Sequence, residues 1–186
     1  MGLPAEISAV MGNISHDNAE VEDISIAILK FAGGALGQIT SSVVHHGEEQ
    51  QVIFQGKKAR ISAPWKVYAS LPKSNGFPER NEALEQEIRD FYEKLPEVAY
   101  EGHTGQIHDV LCAIENKRRP LIGGEDGRRT LEIITAIFKS GSTGQKVKLP
   151  LAKNDPFYTA QGIKENAILR RNTAAFCAIS SKSILQ

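Results

Sequence analysis

The apolar residues of the first 63 positions follow a two-residue period, which is typical of β-strands and not of helices. Isoleucine recurs at every second position from Ile24 to Ile28, the run stops at Gly33-Gly34, and residues 35–44 resume it. A glycine pair tolerates the positive φ angles of a tight turn, so this segment is predicted to be a β-hairpin. Further strands are predicted over residues 5–14, 51–55 and 59–63. Because no helix separates these strands, they predict an antiparallel sheet.

Helical spacing of apolar residues begins after the strands. A first helix is predicted around residues 84–95, and a second from about Thr104 to a point before Pro120. A third is predicted from Asp126, which caps its start, to Ser140, with Gly141 as its C-terminal stop. The second and third helices are expected to bury Ile107, Val110, Leu111 and Ile114, and Leu131, Ile134, Ile137 and Phe138. Strands followed by helices predict an α+β fold: an open, mainly antiparallel sheet with helices packed on one face.

Composition excludes several classes of protein. Lys+Arg and Asp+Glu number 22 each, so the chain lacks the positive charge of a nucleic-acid binder. No apolar run approaches the roughly 20 residues of a membrane span. The two cysteines, Cys112 and Cys177, have no CxxC partner, which favours a reducing cytoplasm. We expect one domain over residues 1–150 and a modestly basic tail over 151–186, partly helical or disordered.

Clusters of polar residues give weak signals of chemistry. The neighbours His45 and His46 would point to opposite faces of a strand, so no metal site is predicted there. His103 and His108 lie five positions apart, a poor match for one helical face, and Cys112 is expected in the core.

Two further motifs resemble anion-binding sites. The Gly33 to Gly37 segment has strands on both sides, so it does not match a dinucleotide-binding loop, which joins a strand to a helix. For Arg128 and Arg129, two interpretations stay open: an anion site at a helix start, or pairing with Glu125 or Glu132. By spacing alone, the sequence therefore predicts no self-contained catalytic site.

Several segments, in order, resemble the C-terminal domain of the Gfo/Idh/MocA oxidoreductases, named after glucose–fructose oxidoreductase, inositol dehydrogenase and a rhizopine-catabolism protein. The first is the hairpin from Val21-Glu22-Asp23 to Gly37. The second is the helix that contains His103, Gln106-Ile107 and Ala113-Ile114, and Asp126-Gly127-Arg128-Arg129 and Val147-Lys148-Leu149-Pro150 continue the pattern. The resemblance extends from about residue 3 to residue 158.

The resemblance implies a two-domain oxidoreductase of which this chain supplies the second domain. The family's Rossmann domain holds NAD or NADP, while its C-terminal domain roofs the substrate site and commonly builds an oligomer through the sheet. The family's catalytic lysine and histidine have no counterpart here: Glu93-Lys94-Leu95-Pro96 is a chance near-match, and Gln106 stands where the histidine motif requires an aspartate. No catalytic or cofactor-binding residue is therefore assigned to this chain.

The resemblance also suggests which side chains lie nearest a sugar, inositol or related polyol. These are expected to be Asn13, His16 and Asp23 on the sheet, with His103 and Gln106 at the helix start. Turn formation by Asn13 and His16, and capping by His103, are the alternative roles. The function also has two interpretations: a substrate-binding and oligomerisation domain that is inactive by itself, or a stand-alone, non-catalytic dimerisation module.

Overall fold

The computed structural model describes residues 2–16, 18, 21–47 and 50–167. The described part forms two compact units. One, here called the N/C unit, holds the residues up to His46 and those from Leu121 onward; the other, the middle unit, runs from Gly47 to Pro120. Each unit has its own antiparallel sheet and its own helices. The predicted α+β class with antiparallel strands is confirmed, and the strands prove to be shared between two sheets.

The sheet of the N/C unit has the strand order β3-β2-β1-β8. Its members are β1 (Glu6–Gly12), β2 (Ile24–Lys30), β3 (Leu36–Ser42) and the short β8 (Val147–Lys148). The predicted β2–β3 hairpin is present: the Phe31 amide donates to the Ala35 carbonyl at 2.9 Å, and Gly34 has a φ of 84°. The glycine pair therefore makes the turn that its conformational freedom predicted.

One face of this sheet is covered by α3 (Gly124–Thr143). The two elements enclose a small apolar core made of Ile7, Ala27, Leu29, Ala136 and Val147. Alternate residues of β1 and β2 point into this core because successive side chains of a strand point to opposite faces. Ala136 brings α3 against the sheet, and partly buried apolar side chains surround this core: Ala9, Phe31, Ile133, Ile137, Leu149 and Leu151.

The buried face of α3 also carries polar residues that bond to the backbone of other elements. The Ser140 hydroxyl accepts from the Ala9 amide at 2.9 Å and donates to the Gln145 carbonyl at 2.7 Å. One Glu132 oxygen accepts from the Leu151 amide at 2.8 Å. These side chains satisfy buried backbone groups that would otherwise be costly.

Three expectations for α3 are wrong. The helix passes through Gly141 and ends at Gly144, which adopts a left-handed φ of 70°. Gly141 serves a different purpose: a Cβ there would lie 2.3 Å from the Met11 sulfur, so glycine permits the close approach to β1. Leu131 and Ile134 are exposed, because the face that meets the sheet contains Glu132, Ala136 and Ser140. The N-cap is Gly123 and not Asp126; Asp126 lies within the first turn, and its carboxylate accepts from the Gly123 amide at 2.9 Å.

The middle unit has the strand order β4-β5-β6-β7. Its strands are β4 (Val52–Gln55), β5 (Ala59–Ala63), β6 (Lys66–Leu71) and β7 (Glu79–Arg80), followed by α1 (Glu82–Glu93) and α2 (Gly102–Glu115). Prolines surround the segment of β6 and β7, and by themselves they favour irregular chain. The pairing of β6 with β5 supplies the hydrogen bonds that make it a strand.

The prediction that α2 buries an apolar stripe is wrong for the described chain. Ile107, Val110, Leu111 and Ile114 are all exposed, and Ala113 is the buried residue of the helix. Helical spacing shows that a helix has an apolar side, but burial also requires another element to cover that side.

The chain after Pro150 forms a short 3-10 helix at Pro156–Tyr158 and α4 at Ala160–Asn166. Phe157 is buried and packs edge-on near Phe138 of α3, with ring centroids 6.3 Å apart. The remainder of the predicted tail, from residue 168, lies outside the described residues. Among the described helices, none combines the length and the apolar character that crossing a bilayer requires.

Candidate functional site

Three of the five predicted substrate-side residues meet in the N/C unit, where β1 ends and β2 begins. The Asp23 carboxylate is buried and accepts from the Ile14 amide at 2.9 Å and the Ser15 amide at 2.8 Å. The His16 Nδ1 lies 3.1 Å from the same carboxylate. Asn13 closes the loop by accepting from the His16 amide at 3.2 Å. We call this group the β1–β2 loop cluster.

The geometry of the β1–β2 loop cluster assigns different roles to its members. Asp23 is 5% exposed and its oxygens already accept several donors, so it fixes the backbone of the loop. Asn13 also donates from Nδ2 to the Val21 carbonyl at 2.9 Å. The His16 side chain is 44% exposed and therefore presents part of its ring to solvent. In this arrangement the buried Asp23 carboxylate holds the loop backbone, and the His16 imidazole faces solvent.

The hydrogen bonds at Asp23 change its acidity. Burial by itself raises the pKa of the carboxyl group, but the Ser15 and Ile14 amides and the His16 ring outweigh that effect. Together they lower the pKa from 3.8 to about 2. The carboxylate therefore stays ionised at any pH near neutrality, and it acts as a hydrogen-bond acceptor and not as an acid.

This lowered pKa predicts a loss of stability in acid. The unfolded chain takes up the Asp23 proton near the ordinary value of 3.8, whereas the folded chain resists until about 2. Between these values the unfolded state binds more protons, so the free energy of unfolding falls as the pH falls. Urea denaturation at a series of pH values should show this slope, and Asp23→Asn should flatten it. Asp90→Asn, on an exposed helix position, is the matched control; an equal flattening there would contradict the assignment.

The other two predicted residues, His103 and Gln106, meet in the middle unit on the first turn of α2. The His103 Nδ1 and the Gln106 Oε1 are 3.1 Å apart, and both side chains are exposed. An amide oxygen accepts only, so a hydrogen bond at this contact is donated by a ring that carries its hydrogen on Nδ1. The pair is therefore ready to bond to a hydroxyl group. It belongs to a different unit from the β1–β2 loop cluster and is described separately.

Residues further along α2 form a contact that the sequence interpretation overlooked. The His108 Nε2 lies 3.4 Å from the Cys112 sulfur, and the Tyr100 ring packs against His108 with centroids 4.7 Å apart. The spacing of four residues places the two side chains on one helical face. Pairing His108 with His103 concealed this arrangement, although the i, i+4 relation to Cys112 was visible in the sequence. Cys112 is half-buried and a free thiol.

The two arginines of α3 take the ion-pair interpretation that was left open. Arg128 donates to Glu125 at 2.9 Å and to Glu132 at 3.0 Å, and Arg129 reaches Glu125 at 3.2 Å. The Arg128 bond lowers the pKa of Glu125 to about 2. These ion pairs account for the positions of both guanidinium groups, and no bound anion is needed to explain them.

Glu85 of the middle unit was not identified from the sequence. It is 3% exposed and accepts from the Ala69 amide at 3.1 Å and from Arg80 at 2.8 Å. The bond from Arg80 is the main reason why its pKa falls to about 2. This carboxylate joins α1 to β6 and β7, so its role is structural.

No group of three or more His, Cys, Asp or Glu side chains converges on a metal-sized position in the described residues. An open pocket of about 560 Å³ lies between the end of α1 and residues 95–101. None of the five predicted substrate-side residues lines it.

Among the described residues of the N/C unit, no element covers the sheet face opposite α3. We define the open sheet face by four exposed apolar residues of its strands: Val10, Ile26, Ile28 and Leu36. Val10 is 66% exposed and Leu36 is 72% exposed. Scattered apolar side chains are normal on a surface, but four on one face of three adjoining strands form a patch.

Comparison with known proteins identifies the family to which this chain belongs. The model of the oxidoreductase family C-terminal alpha/beta domain matches residues 1–149. The chain therefore belongs to the C-terminal domain of the Gfo/Idh/MocA oxidoreductase family, as the sequence motifs predicted. No curated protein matches it.

Solved structures show the same fold. The WlbA dehydrogenase from Bordetella pertussis, in complex with NADH and UDP-GlcNAcA, is 20% identical with a TM-score of 0.58; the match covers 81% of this chain and 41% of that one. The aldose-aldose oxidoreductase from Caulobacter crescentus, complexed with glycerol, is 22% identical with a TM-score of 0.55, covering 80% and 42%. A probable dehydrogenase from Thermotoga maritima is 24% identical with a TM-score of 0.55, covering 80% and 44%. The chain thus spans about two fifths of the length of these structures.

Proposed function

We propose that this chain is the substrate-side and subunit-contact domain of an NAD- or NADP-dependent oxidoreductase that acts on a sugar, inositol or related polyol in the cytoplasm. The observation that carries the proposal is the family match over residues 1–149. Neighbours of the same fold hold NADH with a nucleotide sugar in one case and glycerol in another. These ligands support the chemical class of the substrate.

The β1–β2 loop cluster supports a role in substrate binding. His16 would meet a substrate hydroxyl through its exposed ring, with Asn13 beside it, and Asp23 would align the loop. His103 and Gln106 would contribute a second hydrogen-bonding pair from the start of α2. Neutral imidazole and amide groups both donate and accept, which suits the hydroxyl groups of polyols.

Hydride transfer requires the nicotinamide to be held against the substrate, and that task falls to the cofactor's binding domain. Residues 1–149 match the C-terminal domain of the family, and no residue of the chain is assigned to NAD. We therefore propose that the chain by itself neither binds the dinucleotide nor oxidises a polyol.

Fluorescence titration of NADH into the purified chain tests this proposal. We expect no saturable change, whereas the Bordetella pertussis WlbA dehydrogenase, run in parallel, should bind the dinucleotide. A parallel assay with sugars and inositol should show no reduction of NAD or NADP. Saturable binding of one NADH per chain, or turnover by the chain alone, would contradict the proposal.

A second candidate function rests on the open sheet face. An apolar patch on three adjoining strands favours association with a second copy, and a two-fold symmetric dimer is the commonest solution. A stand-alone dimerisation module without redox activity would need only the open sheet face, and no substrate-binding residues. The coding sequence immediately upstream separates the two: a segment encoding GxGxxG and a Glu-Lys-Pro tripeptide supports the oxidoreductase.

A further inference from the structure

The β1–β2 loop cluster holds a histidine ring by one of its two nitrogens. The His16 Nδ1 lies 3.1 Å from the Asp23 Oδ2, and among the described residues the His16 Nε2 has no hydrogen-bond partner. The His16 side chain is 44% exposed, whereas the Asp23 side chain is 3% exposed. The two nitrogens point in nearly opposite directions on an imidazole ring, so Nε2 is directed away from the buried carboxylate.

The chemistry of the carboxylate decides which ring nitrogen carries the hydrogen. Although burial raises the pKa of Asp23, its hydrogen bonds lower that pKa to about 2, so the carboxyl group is ionised. An ionised carboxylate accepts hydrogen bonds and cannot donate them. The His16 Nδ1 must therefore supply the hydrogen of this bond. A neutral ring has one such hydrogen, so its Nε2 then holds a lone pair and acts as an acceptor.

His16 is held at two points before any ligand arrives. Its backbone amide donates to the Asn13 Oδ1 at 3.2 Å, and its ring donates to Asp23. The same carboxylate accepts from the Ser15 amide at 2.8 Å and the Ile14 amide at 2.9 Å, which fixes the backbone just before the histidine. An acceptor that is already held in place loses less conformational freedom when it binds a ligand.

We propose that Asp23 is a positioning residue: it holds His16 in the form with the hydrogen on Nδ1, so that Nε2 accepts a hydrogen bond from a hydroxyl group of the polyol. This inference rests on the proposed function, because that function places the loop beside the substrate. It adds a direction to the contact. The ligand must donate at this position, so an alcohol group fits, whereas a carbonyl or carboxylate oxygen does not.

Long-range proton–nitrogen NMR correlation measures the position of the ring hydrogen, at about pH 8.5, where histidine rings are ordinarily neutral. His16→Asn identifies the His16 signals by their loss. An unconstrained imidazole carries its hydrogen mostly on Nε2, and the exposed His45 should show that preference. For His16 we expect the form with the hydrogen on Nδ1 to be in excess by at least about tenfold. A hydrogen mostly on Nε2 in the parent chain would overturn the proposal.

Removal of the charge at position 23 tests the role of Asp23 itself. Asp23→Asn should lower the excess of the Nδ1-H form at least about fivefold, because the charge-assisted hydrogen bond is lost. Asp90→Asn removes a carboxylate from an exposed helix position and should leave the His16 signals unchanged. An undiminished excess in Asp23→Asn would overturn the positioning role. The measurement on the parent chain does not depend on whether this variant folds.

Titration of the parent chain with myo-inositol separates this proposal from the proposed function. We expect saturable shifts of the His16 ring signals, and no shifts with acetate at the same concentration, since a carboxylate offers no hydrogen to Nε2. Equal shifts with acetate would overturn the required direction of the bond.

The two measurements together show which proposal has failed. The expected ring hydrogen without any shift by inositol would overturn the hydroxyl partner and count against the proposed function, while the positioning by Asp23 would stand. A hydrogen on Nε2 combined with saturable inositol shifts would overturn the positioning and leave the proposed function intact.

Discussion

Replacement of Ile7 by alanine is expected to lower the free energy of unfolding by about 2–5 kcal/mol. Ile7 is fully buried between β1, β2 and α3. Truncation removes its transfer free energy and leaves a cavity that the rigid sheet and helix fill only in part. Its cross-strand partners Leu29 and Val147 are held in the same core by the pairing of their strands with β1, which limits how far they can move into the space.

Urea denaturation followed by circular dichroism measures this effect. Ile7→Val should cost about 0.5–1.5 kcal/mol, because it removes a single methylene. Val10→Ala is the matched control on the same strand: Val10 points to the uncovered face, so its truncation should stay within about 0.5 kcal/mol at low protein concentration. If Ile7→Ala and Val10→Ala lowered the free energy of unfolding equally, α3 would not cover the Ile7 side of the sheet in solution.

Substitution of Ile28 by aspartate is expected to halve the mass of the protein in solution. Under the proposed association through the open sheet face, the parent chain has about twice the 20.3 kDa of one copy. Ile28 is 47% exposed on the middle of the three strands that form this face. In a symmetric dimer, Ile28→Asp would bury two carboxylates, one from each chain, in an apolar contact. This burial is strongly unfavourable.

Light scattering coupled to gel filtration measures this change. Leu131→Asp is the matched control: it also adds a carboxylate at an exposed apolar position of the N/C unit, but on α3, at the opposite side of the sheet. The control should remain a dimer. A parent chain that runs as a monomer, or a dimer that survives Ile28→Asp, would contradict association through this face.

The local features of the sheet were predictable because short-range rules decide them. The period of two around Ile26 and the turn at Gly34 are properties of a few neighbouring residues, and both appear in the structure. The pairing of β6 with β5 was not predictable in the same way, because it depends on hydrogen bonds to another strand that override the surrounding prolines.

The buried face of α3 shows a second limit of the sequence. Hydrophobic spacing selected Leu131 and Ile134, yet Glu132 and Ser140 face the sheet. Polar residues lie there because they bond to the amides of Leu151 and Ala9, partners that are distant in the sequence. The signal available in the sequence was the four-residue spacing of Glu132, Ala136 and Ser140, which places them on one side of the helix. The small residues Ala136 and Ser140 lie on this side toward the C-terminal end of the helix.

Three of the five residues predicted to lie near the substrate come together in the structure, while their role in substrate binding stays a prediction. Asn13, His16 and Asp23 come together because β1 and β2 pair along their full length and bring their ends into contact. The exposed state of His16 and the buried state of Asp23 could not be inferred from spacing, since both depend on how the loop folds over the carboxylate. The family motif suggested the residues, and the geometry distinguishes their roles.

The bond between Ser140 and the Ala9 amide has a consequence for aggregation. An edge strand of a sheet has unpaired backbone amides, and a strand of another molecule can pair with them. Where β8 ends after two residue pairs, the helix supplies a hydroxyl that occupies the next amide of β1. On the side of the sheet that carries β8, a helix-borne hydroxyl thus makes one amide of β1 unavailable to a foreign strand.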